Sequence, residues 1–198
     1  YFKGTLTDNF GTADGTWTSG DKKKTYKFFI KQIQGKSYWD YIKKFRSLKE
    51  YHNIDTAISE YDKVVSIDVA NQDIAELPAE FNKLKFIISA NLLGNQLDSL
   101  PLVLTELTQL EEISLSTNKL EFIGPEIERL KNLRILIMNN NRLKELPREI
   151  GQLENLLYLE IGNNQLTTLP TEIENLKQLQ ELHIERNRLD DAEKARLK

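Results

Sequence analysis

The side chains that most often do chemistry are scarce in this 198-residue chain: there are two histidines, His52 and His183, and no cysteine. The histidines lie in unrelated regions, and neither has a second histidine or a repeated acidic partner at metal-ligand spacing. The carboxylate pairs Glu111-Glu112 and Asp190-Asp191 are adjacent in sequence and are expected to be solvated. No HExxH, GxxxxGK[ST], GxSxG or EF-hand loop occurs. Without cysteine, disulfides, thiolate zinc sites and cysteine nucleophiles are excluded together. No catalytic residue, metal or cofactor is therefore expected, and the function is expected to be non-enzymatic.

The bulk properties narrow the remaining classes. With 27 Lys+Arg against 30 Asp+Glu the net charge is −3, which gives no general attraction to nucleic acid. No run approaches the roughly 20 apolar residues that a membrane-spanning helix needs. The chain opens on Tyr1 and its first 20 residues lack the apolar stretch of a signal peptide, so it reads as a trimmed fragment. Its length suits one domain with a small appendage.

The elements that must position any binding residue follow from a repeat. Asparagines recur at Asn95, Asn118, Asn141, Asn164 and Asn187, always 23 residues apart, and one step back lies Gln72. Around Asn164 the apolar residues are Leu156, Leu159, Ile161, Leu166, Leu169-Pro170, Ile173, Leu176 and Leu179. Around Asn141 they are Leu133, Leu136, Met138, Leu143, Leu146-Pro147, Ile150, Leu153 and Leu156. The first unit runs from Val64, Ile67 and Val69 through Gln72 to Ile74, Leu77-Pro78, Phe81, Leu84 and Ile87.

In this pattern, LxxLxLxxNxLxxLPxxIxxLxxL, the chain resembles the bacterial leucine-rich repeat proteins over residues 64 to about 189. The resemblance implies an α/β solenoid with a curved parallel sheet and a short helical or irregular convex side. It also implies that the asparagines form a buried ladder, broken at Gln72. Some bacterial members are ubiquitin ligases that attack through a cysteine, an activity that cannot reside in a chain without one.

The physics of the pattern stands beside the resemblance. The LxLxx alternation turns two apolar side chains inward and their neighbours outward, which is a short strand. Stacked at about 4.7–4.9 Å, six such strands give a face on the order of 25 Å long. Proline after each leucine presets φ for the first turn of a short outer helix. In unit three, Ile123-Gly124-Pro125 shifts the proline by one place and is expected to distort one outer turn only.

Residues 37–62 carry apolar side chains at helical spacing and are expected to form a helical N-terminal cap, with helix over 38–61. Residues 1–36 hold three β-prone runs, Tyr1–Leu6, Gly15–Thr18 and Thr25–Ile33. They read as a small antiparallel segment, the end of a truncated β domain, with a turn at "TSGDKKK". Residues 63–198 are the repeat domain, closed by a charged terminal helix whose Ala192, Ala195 and Leu197 are expected to cover the last layer.

Side chains six, four and two places before each asparagine should face the concave side. Among them Ile135, Ile137 and Tyr158 form an expected exposed apolar cluster on adjacent strands, a mark of a contact site. Around it lie Leu93, Glu112, Asn139, Glu160, Glu181, His183 and Glu185, with no Lys or Arg at the same positions. Residues 1–62 hold 11 basic and 8 acidic residues and the remainder 16 and 22, so the acidic surplus falls on the repeats. The expected function is a scaffold that binds a protein or peptide, basic by charge complementarity, on its concave face. A solvated face and weak self-association of an otherwise monomeric chain are the competing readings of the same residues. The alternative function is a targeting arm for an effector or enzyme domain outside this chain. Glycan binding would want a row of aromatics and amides, and only Tyr158, Asn91 and Asn139 qualify. The resemblance adds an exported or cell-surface role in a bacterium.

Overall fold

The computed structural model describes residues 49–197 in full and the backbone of residues 13–18 and 25–30. In the latter, β1 (Ala13–Thr18) and β2 (Thr25–Ile30) pair antiparallel, with Ala13 opposite Ile30 and Thr18 opposite Thr25. The run Tyr1–Leu6 and residues 37–48 of the expected cap lie outside the described residues.

The repeat builds one parallel sheet of seven strands in chain order: β3 (Glu50–Tyr51), β4 (Ser66–Asp68), β5 (Ser89–Asn91), β6 (Glu112–Ser114), β7 (Ile135–Ile137), β8 (Tyr158–Glu160) and β9 (Glu181–His183). From β4 onward every register pair is separated by 23 residues, as in Ser66–Ser89, Glu112–Ile135 and Tyr158–Glu181. The sequence spacing is therefore the hydrogen-bond register itself. Strand β3 extends the sheet one step before the first repeat, where a helix was expected. Only Ile54–Ser59, capped by the Asn53 side chain, is helical in the described part of that segment. Tyr51, apolar in that segment, is buried beside Ile67 as the strand's inward residue.

Opposite the strands run 3₁₀ turns at Ala79–Lys83, Pro125–Arg129, Arg148–Gln152 and Thr171–Asn175, with a short α-helix at Leu102–Thr105. In four of these five segments the proline occupies the cap, one place earlier than expected: Pro78, Pro101, Pro147 and Pro170. Its ring suits the extended backbone that leads into the turn as well as it suits the turn itself. The shifted Pro125 instead opens its turn, after Gly124, and the β6–β7 register is undisturbed. Since strands stack at about 4.8 Å and helical turns need more room, the sheet takes the inner side of the curve.

Between the two layers lies one core. Leu133, Leu136, Met138, Leu143, Ile150, Leu153 and Leu156 of a single unit are all 0% exposed. Burial of such side chains contributes about 1.5–3 kcal/mol each. At the strand ends the asparagines are equally occupied. Asn141 Nδ2 donates to the carbonyls of Leu115 (3.0 Å) and Met138 (3.1 Å), and its Oδ1 accepts the Leu120 N–H (3.0 Å). Asn95, Asn118, Asn164 and Asn187 repeat this arrangement. Gln72 also reaches back, its longer side chain donating to the His52 carbonyl at 2.8 Å.

A second column has the same period. Asn71, Gly94, Thr117, Asn140, Asn163 and Arg186 all adopt positive φ, between 52° and 68°. Asparagine and glycine tolerate this conformation, whereas Thr117 is β-branched and exposed. Thr117→Asn is expected to raise stability by about 1 kcal/mol. The midpoint of a urea unfolding curve checks it, and an unchanged or lower midpoint would contradict it.

The far end is closed by the helix Asp191–Arg196, N-capped by Asp190. Ala192 and Ala195 are exposed and Leu197 half-buried, contrary to the apolar cover expected from the sequence. The inward residue is Glu193, whose carboxylate accepts the Leu169 N–H at 2.8 Å, while Arg196 donates to the Leu169 carbonyl at 2.8 Å and to Glu193 at 2.7 Å. Both backbone groups of Leu169 are met by this ion pair, a need that hydrophobic periodicity does not encode. Arg196 holds the Glu193 carboxyl below the usual carboxylate range.

Candidate functional site

The sheet register sorts the outward residues into rows. The first row reads Glu50, Ser66, Ser89, Glu112, Ile135, Tyr158, Glu181 from β3 to β9. The second reads Asp68, Asn91, Ser114, Ile137, Glu160, His183 from β4 to β9. Two residues further on, just beyond the strands, come Ala70, Leu93, Ser116, Asn139, Gly162 and Glu185. None of these positions carries Lys or Arg.

The expected exposed apolar cluster is corrected by the structure. Ile135 is 0% and Tyr158 3% exposed; they face each other across β7 and β8 and are packed with Leu157, while Ile88 and Ile137 lie against them. The Tyr158 hydroxyl donates to Gln180 Oε1 at 2.6 Å. Strand alternation gives the side to which a residue points, but not what lies over it. The residue preceding each strand, in the column Val65, Ile88, Glu111, Arg134, Leu157, Gln180, is apolar in three of six units, and that was the available signal. Of the three residues of that apolar cluster, only Ile137 is partly exposed.

The polar residues are brought together and ordered. Asn139 Nδ2 donates to Glu160 Oε2 at 2.6 Å, its Oδ1 accepts the Gly162 N–H at 2.7 Å, and its own N–H donates to Ser116 Oγ at 3.0 Å. Gly162 lets the Glu185 side chain lie close: a Cβ there would stand 2.6 Å from its carboxylate oxygen and push that side chain aside. On β9, Glu181 and His183 meet at 3.1 Å, and the Glu181 hydrogen bond, with the fields of Glu160 and Glu185, raises the imidazole pKa. Glu112 accepts from Ser89 Oγ at 3.2 Å; burial pushes its carboxyl pKa up, the Ser89 bond opposes this, and Glu50 adds to it. Leu93 is half-buried at the edge of the same face.

One group was invisible in the sequence. Glu50, His52 and Asp68 converge at the β3 end of the face, with one potential donor atom from each within 4.8 Å of the other two. A helix over 50–52 would have pointed Glu50 and His52 apart; the strand sets i and i+2 on one side.

Residues 124–195 match the family model described as "Leucine-rich repeat region". No curated protein sequence matches the chain. Among solved structures, a leucine-rich repeat protein of Leptospira interrogans aligns over 71% of this chain and 42% of its own, at 34% identity and a TM-score of 0.60. The ectodomain of the Arabidopsis thaliana receptor kinase GASSHO1/SCHENGEN3, solved in complex with CASPARIAN STRIP INTEGRITY FACTOR 2, aligns over 67% of this chain and 17% of its own, at 29% identity and a TM-score of 0.59. An internalin of Listeria monocytogenes shares the fold over 73% of this chain and 41% of its own, at 19% identity and a TM-score of 0.62. The chain thus spans less than half the length of each of these proteins. Its fold is a leucine-rich repeat solenoid, and among the described residues no helix is long and apolar enough to cross a membrane.

Proposed function

We propose that this solenoid is a non-catalytic scaffold that binds a basic protein or peptide segment along the outward face of its sheet. The observation that carries the reading is the charge of the alternating positions: among the described residues Glu50, Asp68, Glu112, Glu160, Glu181 and Glu185 lie at them and no Lys or Arg does, Arg134 of the flanking column being paired with Glu111. Leucine-rich repeat folds commonly mediate protein–protein contacts, and the Arabidopsis ectodomain was solved with CASPARIAN STRIP INTEGRITY FACTOR 2 bound. Contact falls to Ile137, Asn139, Glu160, Glu181, His183 and Glu185, with Leu93 and Glu112 toward the first repeats. Ile135 and Tyr158 support these residues from beneath. The Asn139 network fixes Glu160 before a ligand arrives, so less side-chain entropy is lost on binding. Residues 37–62 serve as the N-terminal cap, and an exported or surface role in a bacterium accompanies this reading.

A displayed peptide library selected on the full chain tests it. Binders are expected to be rich in Lys and Arg and to weaken with added salt, because exposed charge pairs are screened within about 10 Å at 0.1 M. The pair Glu160→Lys and Glu185→Lys is expected to reduce their affinity at least tenfold, about 1.4 kcal/mol. Binders without net positive charge, or indifferent to those substitutions, would refute the reading.

A further inference from the structure

We propose that Glu50, His52 and Asp68 form a binding site for a divalent transition-metal ion of the zinc class, at the β3 end of the sheet face. The placement follows from the register. Glu50 lies opposite Ser66 and Tyr51 opposite Ile67, so the chain carries His52 alongside Asp68, and the His52 ring meets the Asp68 carbonyl at 3.1 Å. One imidazole nitrogen and two carboxylate oxygens are a ligand set for Zn²⁺ and its neighbours, with a fourth position left for water or a partner's side chain.

The geometry is close to what such an ion requires. Donors about 2.0–2.2 Å from a tetrahedral ion stand roughly 3.4 Å apart, and the three here lie within 4.8 Å of one another. Glu50 and His52 are exposed, so rotation of their side chains closes the difference. The supporting shell is already in place. With Nδ1 donating to the Asp68 carbonyl, the imidazole lone pair rests on Nε2, and Gln72 holds the His52 carbonyl at 2.8 Å. One Asp68 oxygen accepts from Asn91 Nδ2 at 3.0 Å and from the Ala70 N–H at 3.1 Å, which leaves the other oxygen for a metal.

The electrostatics point the same way. The ion pairs among the described residues leave Glu50 and Asp68 without a Lys or Arg partner. Two carboxylates thus converge on an imidazole with no described cation between them, and a divalent ion supplies that charge. Bound there, it would make one end of an acidic face locally positive and offer an open coordination position to whatever docks beside it.

Calorimetric titration of the full chain with zinc chloride, in a non-chelating buffer, tests the site. One equivalent is expected to bind saturably and Mg²⁺ not to compete, because the site offers an imidazole and no octahedral oxygen cage. His52→Ala and Asp68→Asn, with circular dichroism unchanged from the parent, are each expected to weaken binding at least tenfold, while His183→Ala leaves it intact. Absence of a saturable equivalent, equal competition by Mg²⁺, or loss of binding in His183→Ala rather than His52→Ala would each overturn the proposal. None of these outcomes depends on a peptide partner, so this site and the proposed scaffold function fail separately.

Discussion

Tyr158→Ala is expected to cost about 3–5 kcal/mol of stability, although its strand position points the side chain away from the main core. The ring is 3% exposed and lies in register with Ile135, which is fully buried, and the hydroxyl donates to the buried Gln180. Truncation opens a cavity lined by Ile135 and Leu157 and removes the Gln180 partner at the same time. Tyr158→Phe keeps the packing but leaves the buried Gln180 Oε1 without this donor, and is expected to cost about 1–3 kcal/mol. Urea unfolding of the two variants beside Ile137→Ala makes the comparison. Ile137 is half-buried, so its truncation is expected to fall below Tyr158→Ala; a Tyr158→Ala loss under about 1 kcal/mol would show that the second cluster does not stabilise the fold.

Asn141→Leu is expected to be comparably damaging for a different reason. Leu115 and Met138 each keep a second amide donor when Asn141 is lost, from Asn118 and Asn164. The Leu120 N–H has Asn141 Oδ1 and no neighbouring asparagine in reserve, so a buried donor is orphaned at a cost of about 1–3 kcal/mol. The branched side chain must also fit a place shaped for an amide, adding about 1–3 kcal/mol. Asn141→Asp separates the two contributions. It restores the acceptor for Leu120 but turns a carboxylate toward the carbonyls of Leu115, Met138 and Asn139. Those carbonyls favour the protonated acid, so its folded-state pKa is raised above the unfolded value of about 3.9. The variant is therefore expected to be most stable below that pH and to lose stability as pH rises through and above it. Unfolding midpoints at pH 4 and pH 7 check the sign; greater stability at pH 7 would mean that the ladder tolerates charge.

These two substitutions also mark where sequence reading succeeds and where it stops. The spacing from Asn95 to Asn187 is strict, and each step of it reappears as strand register, so the stack followed from counting. The acidic character of the outward face followed as well, because period-two alternation decides which carboxylates project. Coverage did not follow. Ile135 and Tyr158 point outward as expected yet are buried, since their cover comes from Leu157 and Ile88, residues that the repeat pattern leaves unspecified. Strand β3 was hidden for another reason: two residues cannot carry a periodic signal, and they become a strand by pairing with β4. With β3 missing, the convergence of Glu50, His52 and Asp68 could not be seen.

The terminal ion pair has a consequence for the last coil. At the last coil the N–H and C=O of Leu169 are held by side chains of the terminal helix and not by backbone. Glu193 and Arg196 occupy both groups at once, and Glu174 ties the arginine down at 3.1 Å. Two side chains on one short helix thus clamp the last coil through both backbone groups of one residue, so fraying of that helix would release both together.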